Sequence, residues 1–300
     1  MGCALADCPS VVEMESKAAI EMQIISLNYH DVITPGDPEP TGRVVPGAWR
    51  YNLEQSEFVR HLAAIAAGCV RTPVTVADIA KVRDNDRPVL FTFDDGGISA
   101  YRCIGDLLEK FGWRGNFFIS TNEIGKPGFV GPKQICALRK RGHVIGSHSC
   151  SHPERMSQCS WAQLVEEWAT SIRILSDILG EQVCFASVPG GYYSRRVAEA
   201  AALAGIKVLF NSEPVASCRY VDGCMVLGRY TVYRGTPASA VAAMAAGRKL
   251  PRLRQLVFWK CKELAKRIGG EAYLRIRKQL VTRAQQNEPC LEAEGLSSSE

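Results

Sequence analysis

Apolar residues along this chain fall in short runs separated by amphipathic stretches. The run Met22–Tyr29 (MQIISLNY) reads as a buried strand, and the same pattern predicts strands at Pro88–Phe93, Gly115–Ser120, His143–Ser147, Val183–Val188, Ile206–Asn211 and Met225–Val232. Helical spacing lies between them, over Ser99–Phe111, Ser160–Leu179 and Arg195–Ala204. The second of these is the best marked, because Ser160 and Gln163 form a capping box and Gly180 supplies a C-terminal stop. Repeated β-α units imply a parallel sheet with right-handed crossovers, closed as a barrel or doubly wound. In either case the chemistry belongs on loops that follow the strands.

The pattern also sets boundaries. Residues 1–21 precede the first strand and read as an N-terminal extension, 22–246 as the α/β body, 247–284 as a basic helical segment and 285–300 as a polar, acidic, disordered tail. Composition is that of an ordinary globular chain, with 46% hydrophobic and 22% charged residues among 300. No apolar run approaches the roughly 20 residues that span a bilayer. The N-terminus has neither a basic region nor a continuous apolar core, so no secretory leader is expected and the expected location is the cytoplasm. The 12 cysteines are scattered without a CxxC pair, and most are expected to be reduced thiols.

Charge changes the picture more than composition does. Arg248–Arg283 holds 12 of the 36 basic residues and only Glu263 and Glu271 of the 31 acidic ones. This segment is therefore +10 on a body of −5. Leu253, Leu256, Val257, Cys261, Leu264 and Ile268 recur in it at helical spacing, with Arg252, Arg254, Lys260, Lys262, Lys266 and Arg267 around them. The stripe fits a helix packed on the body or an interfacial helix on an anionic membrane; from the local charge, peripheral membrane contact through 248–283 is expected. No nucleic-acid motif accompanies the charge, and no nucleic-acid partner is expected.

Three strand ends carry candidate chemistry. Pro88–Phe93 runs into Asp94-Asp95-Gly96-Gly97, which could be a simple Asp-Gly turn; but two adjacent carboxylates at the end of an apolar strand call for a cation to offset their repulsion. The strand from His143 ends in His148-Ser149-Cys150-Ser151-His152, two of only five histidines, four apart, a spacing that would converge on one point on a helical turn. No Glu lies between them, so a base must come from elsewhere, and Asp94 supplies it. Val183–Val188 ends in Pro189-Gly190-Gly191-Tyr192, a loop that could offer backbone N–H groups to an oxyanion. His30, after the first strand, would reach the same face as a proton-transfer residue.

Taken together, Thr92-Phe93-Asp94-Asp95-Gly96, Gly142-His143-Val144-Ile145-Gly146-Ser147 with His148 and His152, and Pro189-Gly190-Gly191 resemble, in order, the motifs of the polysaccharide deacetylase family with the NodB-homology domain, carbohydrate esterase family 4. The resemblance implies a distorted β/α barrel of fewer than eight strands, here followed by basic helices. It implies a divalent metal on Asp95, His148 and His152, with Asp94 as base, acting on acetylated sugars or glycans. Zinc is the expected ion, with Co, Ni and Mn also compatible. The chain departs from the pattern in four places. Ser187 stands where many members have Arg, Gly190 replaces an aromatic residue, no histidine follows His152 to serve as the late acid, and only Glu213 lies near the position of an Asp-rich motif. These losses define the alternative, a non-catalytic glycan-binding module of the same fold. A non-haem Fe(II) oxygenase shares the ligand set but belongs on a β-rich frame, which alternating strands and helices do not make.

Overall fold

The computed structural model describes residues 22–34, 36, 41–43, 47–68, 71–82 and 87–261. The expected N-terminal extension, most of the basic segment and the tail lie outside them. Strands β1 (Ile25–Tyr29), β4 (Val89–Phe93), β5 (Asn116–Ile119), β6 (Val144–Ser147), β7 (Phe185–Ser187) and β8 (Val208–Phe210) are buried at every position, as strands of a parallel sheet covered on both faces must be. A separate two-stranded ladder pairs β2 (Asp31–Ile33) with β3 (Asn52–Glu54).

Alternation along each strand divides the core into two clusters. Ile24, Leu90, Phe118, Val144, Phe185, Val208, Phe210 and Met225 pack together. The residues of opposite parity, among them Ile25, Val89, Phe91, Phe93 and Leu209, pack in the larger cluster with the outer helices. Those helices are α1 (Gln55–Gly68), α2 (Gly105–Lys110), α3 (Pro132–Lys140), α4 (Trp161–Leu179), α5 (Arg195–Leu203), α6 (Ala238–Ala245) and α7 (249–261). The capping box of α4 is present, with the Ser160 hydroxyl accepting from Gln163 N–H and Gly180 left-handed at φ 69°. The stretch expected as one helix from Ser99 opens instead with a π-helical turn, Ala100–Ile104.

The sheet has nine hydrogen-bonded strands, in the order β11-β1-β4-β5-β6-β7-β8-β10-β9. This exceeds the fewer than eight expected, for two reasons. Cys218–Val221 adds an antiparallel edge, β9, and the single run expected at Met225–Val232 breaks into β10 (Cys224–Leu227) and β11 (Tyr230–Thr231). β10 pairs with β8, whereas β11 pairs with β1 at the far end of the sheet. The ring is thus closed by covalent chain through Gly228-Arg229. Gly228 is required at this crossing, since a Cβ there would lie 2.2 Å from the Glu213 carbonyl oxygen.

Seven described cysteines are free thiols and Cys184 is disulfide-bonded. Among the described residues no helix is long and apolar enough to cross a membrane.

Candidate active site

Strand parity decides which way the loop after β4 presents its side chains. Leu90 and Thr92 point to the inner cluster, and Asp94, two residues on, is buried at the mouth of the ring. There it meets the fully buried Arg229, carried by the break between β10 and β11. Arg229 Nη1 donates to Asp94 Oδ1 at 2.7 Å and Nη2 to Oδ2 at 2.8 Å, a bidentate pair. The rest of the guanidinium is held by the Asn211 carbonyl (3.0 Å) and the Asn28 side-chain oxygen (3.1 Å). Burial by itself would raise the pKa of Asp94; the charges of Arg229 and His148 and the Arg229 hydrogen bonds outweigh it and bring it down to about 2.

Asp95 is treated differently. Its Oδ1 is buried without a hydrogen-bond partner, 3.5 Å from His148 Nε2 and 3.4 Å from His152 Nε2. Burial opposes its ionisation, yet His152, His30 and His148 hold its carboxyl well below the usual range. His148 Nδ1 donates to the Ser187 carbonyl at 3.0 Å, which fixes the tautomer and leaves the Nε2 lone pair facing Asp95. Burial brings the pKa of His148 down to about 4, so the ring is neutral near pH 7. Ligand atoms of Asp95, His148 and His152 all lie within 4.8 Å of one another. An orphaned carboxylate oxygen facing two imidazole nitrogens fits a divalent cation, and the donor set suits zinc.

The loops that carry this triad are strained. Of the four non-glycine residues with positive φ among those described, three are Asp95 (72°), Ser149 (64°) and His152 (54°). The convergence of His148 and His152 comes from these left-handed residues and not from a helical turn, because 148–152 is a bend. Glu167 of α4 secures that bend by accepting from the N–H groups of Cys150 (3.0 Å) and Ser151 (2.8 Å). Asp31 anchors the other loop, accepting from Ser99 and Thr41 hydroxyls at 2.6 Å.

A cavity of about 650 Å³ opens beside Asp94. His30 lines it, 4.5 Å from the Tyr51 ring between centroids, with a buried and unpartnered Nδ1. Asn28, Asn211 and Glu213 contribute polar atoms to the wall, and Tyr51, Tyr192, Tyr193, Tyr233 and Trp259 contribute rings. The loop Pro189–Gly191 forms another part of that wall as a 3-10 turn. Its expected oxyanion donors are engaged elsewhere: Gly191 N–H donates to Val188 O at 3.2 Å and Tyr192 N–H to Pro189 O at 3.3 Å. The turn consumes them, and the loop's contribution to the cavity is surface.

Sequence reasoning missed Arg229, Glu167 and the anchoring role of Asp31. Arg229 left a signal, a lone cation inside the apolar run MVLGRYTV, since a fully buried Arg requires a partner.

Residues 81–209 match the family model described as polysaccharide deacetylase. The YxkH protein of Bacillus subtilis (strain 168) is 28% identical over 161 residues, 54% of this chain and 57% of that one. Peptidoglycan-N-acetylglucosamine deacetylase PgdA of Listeria monocytogenes serotype 1/2a (strain 10403S) is 28% identical over 167 residues, 55% of this chain and 32% of that protein. The matches thus span about half, or less, of the length of these relatives. Among solved structures, the Streptococcus pyogenes deacetylase PplD, in complex with acetate, aligns with a TM-score of 0.62 over 75% of this chain and 99% of that chain, at 19% identity, a likeness of fold. Both Arg229 and His30 lie outside the family-matched segment.

Proposed function

From the match of residues 81–209 to the polysaccharide deacetylase model we propose that the protein is a member of that family and hydrolyses acetyl groups from N-acetylated sugars or glycans. The observation that carries this reading is the pairing of Asp94 with Arg229 at the cavity edge, one residue from an unsatisfied Asp95–His148–His152 cluster. Those three residues would hold a divalent ion, zinc first and Co, Ni or Mn as alternatives, whose chemistry is polarisation of a carbonyl oxygen and a lowered pKa for water.

The chain's own groups do the rest. Arg229 keeps Asp94 ionised and fixes the carboxylate plane, leaving lone pairs on its oxygens free to accept the proton of an attacking water. Loss of acetate then requires a proton for the departing amine. We assign that proton to His30, which lines the cavity with an unpartnered Nδ1 and would answer the absence of a histidine after His152. The aromatic wall suits sugar rings and the cavity is of ordinary ligand size. Net reaction consumes one water and yields acetate and the free amine.

The test is acetate release from N-acetylhexosamine oligomers by the protein supplied with zinc. Release that stops on chelation and returns on re-addition of metal is the expected result. Binding of the oligomers without any acetate would favour the glycan-binding module.

A further inference from the structure

The sequence leaves open whether the stripe of the basic helix faces the body or a membrane, and the orientation of α7 bears on that choice. Its inward side carries Arg252, Gln255, Leu256 and Trp259, which are half-buried. Arg252 Nε donates to the Tyr230 hydroxyl at 2.7 Å, Gln255 Nε2 donates to the Thr231 carbonyl at 2.7 Å, and Trp259 and Lys260 line the cavity that holds Asp94. The opposite side carries Leu250, Leu253, Val257 and Phe258, which are 78%, 55%, 53% and 61% exposed. Leu250, Leu253 and Val257 follow helical spacing along one ridge, and Phe258 lies beside it. The apolar ridge is therefore not the side by which α7 meets the barrel.

Charge states what the ridge faces. Residues 248–261 contain Arg248, Lys249, Arg252, Arg254 and Lys260 and no acidic residue. Arg254, one turn from both Leu250 and Phe258, stands exposed among these apolar side chains, and Arg248 and Lys249 are exposed at the start of the helix. A second copy meeting this ridge across a two-fold axis would set like charges against each other. An anionic bilayer satisfies both features, accepting the apolar side chains at its headgroup boundary and attracting the cations.

We propose that α7 seats the protein on an anionic membrane and, as part of the cavity wall, presents the site to acetylated sugars carried at that surface on lipid. The membrane contact stands on the ridge; the choice of substrate rests on the deacetylase reading above.

Co-sedimentation of the full chain with vesicles tests it. The protein should pellet with vesicles containing phosphatidylglycerol, not with pure phosphatidylcholine, and less as salt rises. The double variant Leu253→Ser/Phe258→Ser should weaken binding about tenfold or more, because both side chains lose their apolar burial. It should release acetate from soluble oligomers as the parent does. An intact chain that ignores anionic vesicles overturns the proposal. So does unchanged vesicle binding by the variant, or a lower unfolding temperature for it in a protein that does not bind vesicles, which would mean that the rest of the chain covers the ridge. Vesicle binding without acetate release from any substrate would leave the membrane contact standing and remove the deacetylase reading.

Discussion

Strand β6 has a buried histidine at each end, and burial brings both down to a pKa of about 4. At the start, His143 Nδ1 accepts from Gly115 N–H at 3.0 Å and Nε2 donates to Glu109 at 2.9 Å, so both ring nitrogens are satisfied within the chain. At the other end, His148 is satisfied only at Nδ1, and its Nε2 faces the orphaned oxygen of Asp95. Equal shifts therefore mark unequal sites. A perturbed pKa measures burial; an unspent lone pair beside another one is what points to a ligand.

The carboxylates show the same contrast. Glu109 sits in a partly exposed network with Arg141 and His143, whereas Asp94 and Arg229 form a buried pair at the cavity edge. The first variant to separate the two ends is Asp94→Asn, which should lower acetate release 10²- to 10⁴-fold while leaving metal content unchanged. A rate equal to the parent's would move the base elsewhere, with His30 the first suspect. Arg229→Met should follow in size. It strands a buried carboxylate and should cost about 3–5 kcal/mol in urea unfolding, whereas adding Asp94→Asn to it should recover part of that loss. Additive losses would show that the pair is not coupled.

At the closed end, His143→Phe leaves the Gly115 N–H without its acceptor and should cost about 1–3 kcal/mol with no change in bound metal. The smallest effect is on pH dependence. The folded chain disfavours protonated His143, so this contribution is complete above the unfolded value near 6.5 and is lost as pH falls from there towards about 4. His143→Gln can keep both hydrogen bonds without titrating, and unfolding free energies measured across that window should fall less steeply than in the parent. An identical slope would assign the acid sensitivity to other groups.

Much of this was legible in the sequence. The parallel strands follow from apolar runs whose every position is buried, and the helix from Trp161 is announced by Ser160, Gln163 and Gly180 because capping is local chemistry. Asp94, Asp95, His148 and His152 stand out because strand ends deliver them to one face. The split at Gly228-Arg229 was not legible, since a strand that changes partner from β8 to β1 is a property of ring closure. The turn that consumes the Gly191 and Tyr192 N–H groups was hidden for a related reason: a Pro-Gly-Gly loop can offer its amides outward or spend them on itself, and only the φ of Gly190, 58°, records the choice. The side of α7 that faces the barrel was equally open, because a stripe with cations around it satisfies water, protein or lipid.

The proposed chemistry depends most on a single divalent ion at the open end of β6. Elemental analysis of the purified protein after equilibration with zinc and removal of unbound metal tests it directly. One equivalent of zinc per chain is predicted for the parent, for Asp94→Asn and for His143→Gln, and none for His148→Ala. Stoichiometric zinc persisting in His148→Ala, or none in the parent, would contradict it.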